Sequence, residues 1–321
     1  MAKLVTKMVV VSALDDNYVF PFLIMIYSAK KNAEEDFSLI IGFDDKTLSK
    51  ENQLFISKCC LIFDISHKFM EIKIDSSLPS SEHITATAYG RLYLADIVEG
   101  EALWLDSDLI CLSNWQTIKQ HMNRELNNDV IQAVIDQGIL KGVNIAADNL
   151  AILKAEGRYF NTGVLIFNFD NWRKVQLNEK WKPVAAKYSE YKFDYADQCV
   201  LNYLCCDIYS EIPEKYNRLA LLRKTSKDRY ILHFAGGVKP WTYRKFELAK
   251  YFGTLLPADI DLYLRYEQEA INFVARANRE LSIELSRKKN RLLVGRKRSN
   301  VVKNKTLFLR NLLSLNPIRS N

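Results

Sequence analysis

Val-rich apolar runs alternate with longer amphipathic stretches through the first hundred residues. Lys7–Leu14 predicts a first buried strand. The Asx residues of Asp15-Asp16-Asn17-Tyr18 can then cap a helix from Tyr18 to about Lys31, with Pro21 in its first turn. Phe37–Phe43 predicts a second strand, and Thr47 to about Cys60 has helical spacing. Leu61–Ile65 and Glu71–Ile74 read as short strands. Thr85 to about Val98 reads as a helix with Tyr89, Leu92, Tyr93 and Ile97 on one face and Arg91 on another. Ala102–Leu105 is a short buried strand that runs into Asp106-Ser107-Asp108. This β-α-β-α rhythm predicts a parallel, doubly wound sheet.

Further strands are predicted at Val130–Asp136, at Tyr159–Asn168 opened by Asn161-Thr162-Gly163, and at Tyr230–Phe234. Gly138 to about Gly157 reads as an irregular or weakly helical, lid-like stretch. Asp170–Arg173 leads into one helix, and Asp197-Gln198 opens another whose first polar residues can project into a site. From about Phe246 the pattern turns helical.

Charge is unevenly placed. The chain of 321 residues carries a formal net charge of +7. Thirteen Lys and Arg but only two acids lie from Arg276 onward, so the body is mildly acidic and the tail strongly basic. The basic clusters Arg287–Arg291 and Arg296–Arg298 interleave with Leu307-Phe308-Leu309 and Leu312-Leu313. That mixture suits an anionic membrane surface, with a solvated tail as the plainer alternative. No nucleic-acid-binding motif accompanies it. No run approaches the ~20 apolar residues of a membrane span, and no secretory h-region stands near Met1. Six cysteines without a C-x-x-C spacing read as reduced thiols of a cytoplasmic protein.

The candidate chemistry begins at Asp106 and Asp108. A buried strand should not end in two carboxylates unless something offsets their charge. Residues two apart on an extended chain share a face and can grip one ion, and carboxylate oxygens suit Mg2+ or Mn2+ together with substrate phosphates. No glycine-rich phosphate loop is present, so a metal would have to hold any phosphate. His233 can add a nitrogen ligand. Gly236 and Gly237 permit close backbone approach to an anion, and Lys239 can neutralise a phosphate.

Six segments resemble motifs of the retaining glycosyltransferases of family 8, the group of bacterial lipopolysaccharide galactosyl- and glucosyltransferases related to glycogenin. They are Leu14–Tyr18, Tyr89–Leu92, Leu105–Asp108, Phe160–Val164, Asp197-Gln198 and His233–Trp241, in the family's order. The resemblance implies a GT-A fold: one Rossmann-like nucleotide-sugar domain with a mostly parallel central sheet over residues 1–245. A helical basic extension over 246–321 would follow. It implies that Asp106, Asp108 and His233 hold Mn2+ (or Mg2+) against the diphosphate of UDP-glucose or UDP-galactose. Asp15, Asn17 and Tyr18 would meet the nucleoside. Arg91, Ser107, Asn161, Gly236 and Lys239 would bind or orient the donor, and Asp136, Asp197 and Gln198 would line the reacting sugar. Gln198, a neutral amide, is a poor nucleophile, which favours attack by the acceptor on the leaving-group face; neighbouring Asp197 keeps a covalent route open. The expected acceptor is a glycan or glycolipid, at the cytoplasmic face of the inner membrane. A catalytically silent sugar-nucleotide-binding or membrane-surface scaffold is the alternative.

Overall fold

The computed structural model describes residues 7–78, 86–122, 129–137, 150–187, 191, 195–220, 228–236, 239–242 and 257–292. The opening rhythm forms as expected. Strand β1 (Met8–Ala13) leads to helix α1 (Val19–Lys31), β2 (Phe37–Phe43), α2 (Lys50–Ile62), β3 (Ser66–Glu71), α3 (Gly90–Ile97) and β4 (Glu101–Leu105). These four strands lie in the order β3-β2-β1-β4 and are all parallel.

Two expectations fail near β3. Leu61 and Ile62 finish α2, and one strand, Ser66–Glu71, replaces the two short ones. Among the described residues β3 lies at the sheet edge and pairs with β2 alone. Its residues are at best half-buried, so Ser66, His67 and Lys68 carry no apolar signature. In α3 Arg91 is buried, while Ile97 is exposed.

The sheet continues through β7 (Phe160–Asn168) and β6 (Ile131–Ile135) to β8 (Tyr209–Glu211), seven strands among the described residues. β7 runs antiparallel to both β4 and β6. This reversal brings the start of β7 to the same rim as the ends of β1, β4 and β6. Between Ala133 and Val134 the β6–β7 register slips, from Ala133 opposite Leu165 to Val134 opposite Asn161. The intervening Thr162–Val164 leave the β6 ladder, as in bulges that re-aim side chains beside active sites.

Alternation along β4 sends Leu103 and Leu105 into one core and Ala102 and Trp104 into the other. The first core is closed by α1, α2 and the C-terminal helix Pro257–Ala277. The second is closed by α3 and helices Phe169–Lys174, Leu177–Ala186 and Ala196–Cys205. The predicted strand near Tyr230 forms as β10 (Ile231–His233), outside the main sheet. It pairs antiparallel with β5 (Leu109–Cys111) and parallel with β9 (Arg218–Leu219).

Of the expected helical tail, residues 246–256 lie outside the described residues, and Pro257–Ala277 and residues 279–292 are helical. It packs onto the body. Lys31 meets Glu269 at 2.5 Å, and Asn32 donates to the Tyr266 hydroxyl at 2.7 Å. Within the first basic cluster, Lys288 is buried over the Phe55 ring with its ammonium on Asn52, and Lys289 pairs with Glu267. Arg287 and Arg291 stay exposed. The second basic cluster, the leucine-rich end and the lid-like residues 138–149 lie outside the described residues. No helix among the described residues is long and apolar enough to cross a membrane. All six cysteines are free thiols, five of them buried.

Gly90 opens α3 against β1, where an added Cβ would stand 2.6 Å from the Ala13 Cβ. Overpacking costs roughly 1–3 kcal/mol, against a helix-propensity gain of about 1 kcal/mol. Gly90→Ala is expected to destabilise the protein by about 1 kcal/mol, read as a lower urea midpoint at unchanged m-value.

Candidate active site

The site forms where strand ends meet. β1 ends at Ala13, and Asp15 then caps the turn Asp16–Tyr18 by accepting from the Asn17 N–H at 2.9 Å. Thr87 donates to its other oxygen at 3.2 Å. Asp16, which motif reading passed over, accepts from the Ser49 backbone and from Asn52 at 2.9 and 2.6 Å. Asn17 is exposed. Tyr18 is half-buried, and its hydroxyl pKa is pushed well up, first by burial and then by Asp108, Asp15 and Asp106.

β4 and β5 are joined by Asp106-Ser107-Asp108. The two acids thus sit in a tight turn rather than on one extended face. The Asp106 N–H donates to Gly163 O at 2.9 Å, and the Phe234 N–H donates to Asp108 O at 3.0 Å. These bonds tie the turn to β7 and β10. Asp106 Oδ1 accepts from Trp104 Nε1 at 2.7 Å and from Arg91 Nη2 at 3.0 Å. Burial raises the Asp106 carboxyl, Arg91 opposes this, and Asp108 adds to it. For Asp108, burial is overcome by Lys239 and His233, which hold it far below the usual range. Lys239 Nζ lies 2.5 Å from Asp108 Oδ2, and His233 Nε2 lies 3.2 Å from Oδ1. Ser107 is buried between the two acids.

One donor atom from each of Asp106, Asp108 and His233 lies within 4.8 Å of the others. Two carboxylates and an imidazole form a donor set that suits Mn2+, and it draws together chain segments more than a hundred residues apart. Gly163 makes room for the imidazole: a Cβ there would stand 2.3 Å from His233 Cε1. Gly236 occupies a bend at φ +89°. Gly237 lies outside the described residues.

Arg91 is engaged within the protein. Its guanidinium covers the Trp104 ring at 4.8 Å. It reaches Asp106, Asp197 at 2.9 Å and the Thr162 carbonyl. Asp197 opens the helix Ala196–Cys205. Its pKa rises to about 6, chiefly by burial, with Arg91 pulling it down and Asp106 pushing it up.

On the other side, Asp136 Oδ2 accepts from Asn161 Nδ2 at 3.0 Å and from Gln198 Nε2 at 3.2 Å. Gln198 Oε1 accepts from the Thr162 N–H at 3.2 Å. Asn161 Oδ1 accepts from the Gly163 N–H at 2.8 Å and from Asn217 at 2.7 Å. Asn217 in turn contacts His233 Nδ1 at 2.9 Å. Sequence reading missed Asn217, since a single Asn after the Glu214–Tyr216 turn reads as loop chemistry. The expected residues Asp15, Tyr18, Arg91, Asp106, Asp108, Asp136, Asn161, Asp197, Gln198, His233 and Lys239 thus surround one strand rim.

General stress protein A of Bacillus subtilis is 25% identical over 258 residues, covering 72% of this chain and 86% of that protein. A lipopolysaccharide 1,2-glucosyltransferase of Escherichia coli is 26% identical over 262 residues, covering 74% and 75%. The crystal structure of galactosyltransferase LgtC with donor and acceptor sugar analogs superposes with a TM-score of 0.64 at 20% identity. It covers 82% of this chain and 96% of that one, and the shared architecture is the GT-A fold. The family model of glycosyl transferase family 8 matches residues 9–245, a span that contains every candidate residue above, and the chain belongs to that family.

Proposed function

We propose that this protein is a Mn2+-dependent, retaining hexosyltransferase that moves glucose or galactose from a UDP-sugar to a lipopolysaccharide or related surface-glycan acceptor. The observation that carries this reading is the convergence of Asp106, Asp108 and His233 in a family 8 chain. The lipopolysaccharide glucosyltransferase among its relatives supports the acceptor class.

Bound there, the cation would neutralise diphosphate charge and make UDP a better leaving group. Asp15 holds the turn that offers Asn17 and Tyr18 to the nucleoside. Lys239 exchanges its bond to Asp108 for a phosphate oxygen and stabilises charge on the departing UDP. Arg91, engaged by Asp106 and Asp197, orients those two acids rather than the diphosphate. Asp136 orients the Asn161 and Gln198 amides toward the sugar. The acceptor hydroxyl attacks C1 from the leaving-group face. As the C1–O bond to UDP breaks, the hydroxyl proton passes to the departing phosphate oxygen. Asp197, tied to Arg91, leaves this route without a protein nucleophile, and no glycosyl adduct on Asp197 is expected by mass spectrometry during turnover. Arg287, Arg291 and the basic residues beyond 292 are assigned to an anionic membrane surface. A chain ending at residue 292 should then keep UDP-sugar hydrolysis and lose binding to anionic vesicles.

Removing the cation with EDTA is expected to lower UDP-sugar hydrolysis by at least ~100-fold, since metal assistance is worth several kcal/mol and each factor of ten in rate is about 1.4 kcal/mol. Added Mn2+ should restore it. Metal-loaded protein that hydrolyses none of a panel of UDP-sugars would return the silent scaffold to favour. Gly163→Ala drives a methyl group into the His233 ring and should weaken Mn2+ binding by about tenfold, the scale of a disturbed ligand orientation, measured by titration of the folded protein.

A further inference from the structure

An imidazole can serve a cation only through a nitrogen that carries no proton. Which nitrogen of His233 is free follows from one backbone group. The Gly163 N–H can only donate, so the Asn161 atom 2.8 Å away must be the side-chain oxygen. That orientation sends Asn161 Nδ2 to the Asp136 carboxylate, where a donor is needed. The same Asn161 oxygen lies 2.7 Å from the Asn217 amide, which must therefore present its NH2 there. The Asn217 oxygen is left facing His233 Nδ1 at 2.9 Å, so Nδ1 carries the proton. Nε2 remains, and it points to Asp108 Oδ1 at 3.2 Å, inside the Asp106/Asp108/His233 cluster.

Asn217 is 1% exposed, so water is poorly placed to replace either end of its amide. The position needs an acceptor toward His233 and a donor toward Asn161. A carboxylate supplies the first alone, and an aliphatic side chain supplies neither.

We infer that Asn217 is a positioning residue of the active site. It holds His233 as the Nδ1–H form with Nε2 directed at the cation, and it couples the imidazole through Asn161 to Asp136 and Gln198 on the sugar side. This rests on the reading of Asp106, Asp108 and His233 as a cation site. Ring nitrogens of metal-binding histidines are commonly fixed by such outer partners, whose loss costs about 10–100-fold in metal affinity.

The test uses the full chain with Mn2+ alone as probe, free Mn2+ being read by electron paramagnetic resonance. Asn217→Leu should bind Mn2+ about 10–100-fold more weakly. Asn217→Asp, which keeps the acceptor toward His233, should lose much less. Long-range 1H–15N spectra of histidine-labelled protein, with the His233 signals assigned by a His233→Gln variant, should show Nδ1 protonated in the parent protein and in Asn217→Asp. Parent protein with a bare Nδ1 overturns the inference, whether or not any variant folds. So does a folded Asn217→Leu protein with unchanged Mn2+ affinity. If the parent binds no Mn2+, or binds it equally well after Asp108→Asn, the cation-site reading itself fails, a result distinct from either of these.

Discussion

Four carboxylates, those of half-buried Asp106 and of buried Asp108, Asp136 and Asp197, gather at one rim of the sheet. Leaving even one uncompensated would cost several kcal/mol, so the surrounding structure is arranged around their charge. Arg91 spans Asp106 and Asp197 while its plane lies on Trp104. Lys239 and His233 share Asp108. Asp136 is met by the amides of Asn161 and Gln198. A glycosyltransferase that must handle a diphosphate is served by this arrangement, since the donors that balance the acids at rest are the groups a phosphate needs.

The acids could be placed from sequence because they contradict their surroundings. Asp106 and Asp108 interrupt an apolar run, and His233 ends a strand before glycines and a lysine; each pattern is costly without a reason. Strands β1, β2 and β4 were equally readable, because buried strands between amphipathic helices leave apolar runs. The direction of β7 was not. Its run Val164–Phe167 is apolar whichever way the strand points, and only the neighbours Leu103 and Ala133 reveal the reversal. β3 hid because an edge strand buries little. Asn217 hid for a different reason: its importance lies in two hydrogen bonds to residues far along the chain, and nothing in its local sequence marks that.

Arg91 shows what motif reading leaves out. Its place beside the donor follows from the family pattern, yet its guanidinium is already held by protein oxygens. The C-terminal segment makes a related point. Its basic character is evident from composition, but Lys288 and Lys289 turn inward onto Asn52 and Glu267. Through Asn52, Lys288 is two contacts from Asp16, whose backbone continues into Asn17 and Tyr18. The segment beyond the family match therefore braces the turn expected to hold the nucleoside.

The 2.5 Å pair between Lys239 and Asp108 has a bearing on turnover. A ligand that recruits the ammonium must first part it from the carboxylate, so some of the affinity for nucleotide is forfeited on arrival. If Lys239 serves the nucleotide as proposed, the same pair re-forms as the spent nucleotide departs, which eases its escape. A pocket that keeps its own counterion in reserve trades tightness of grip for speed of emptying, a favourable exchange where the leaving product is a strongly charged diphosphate.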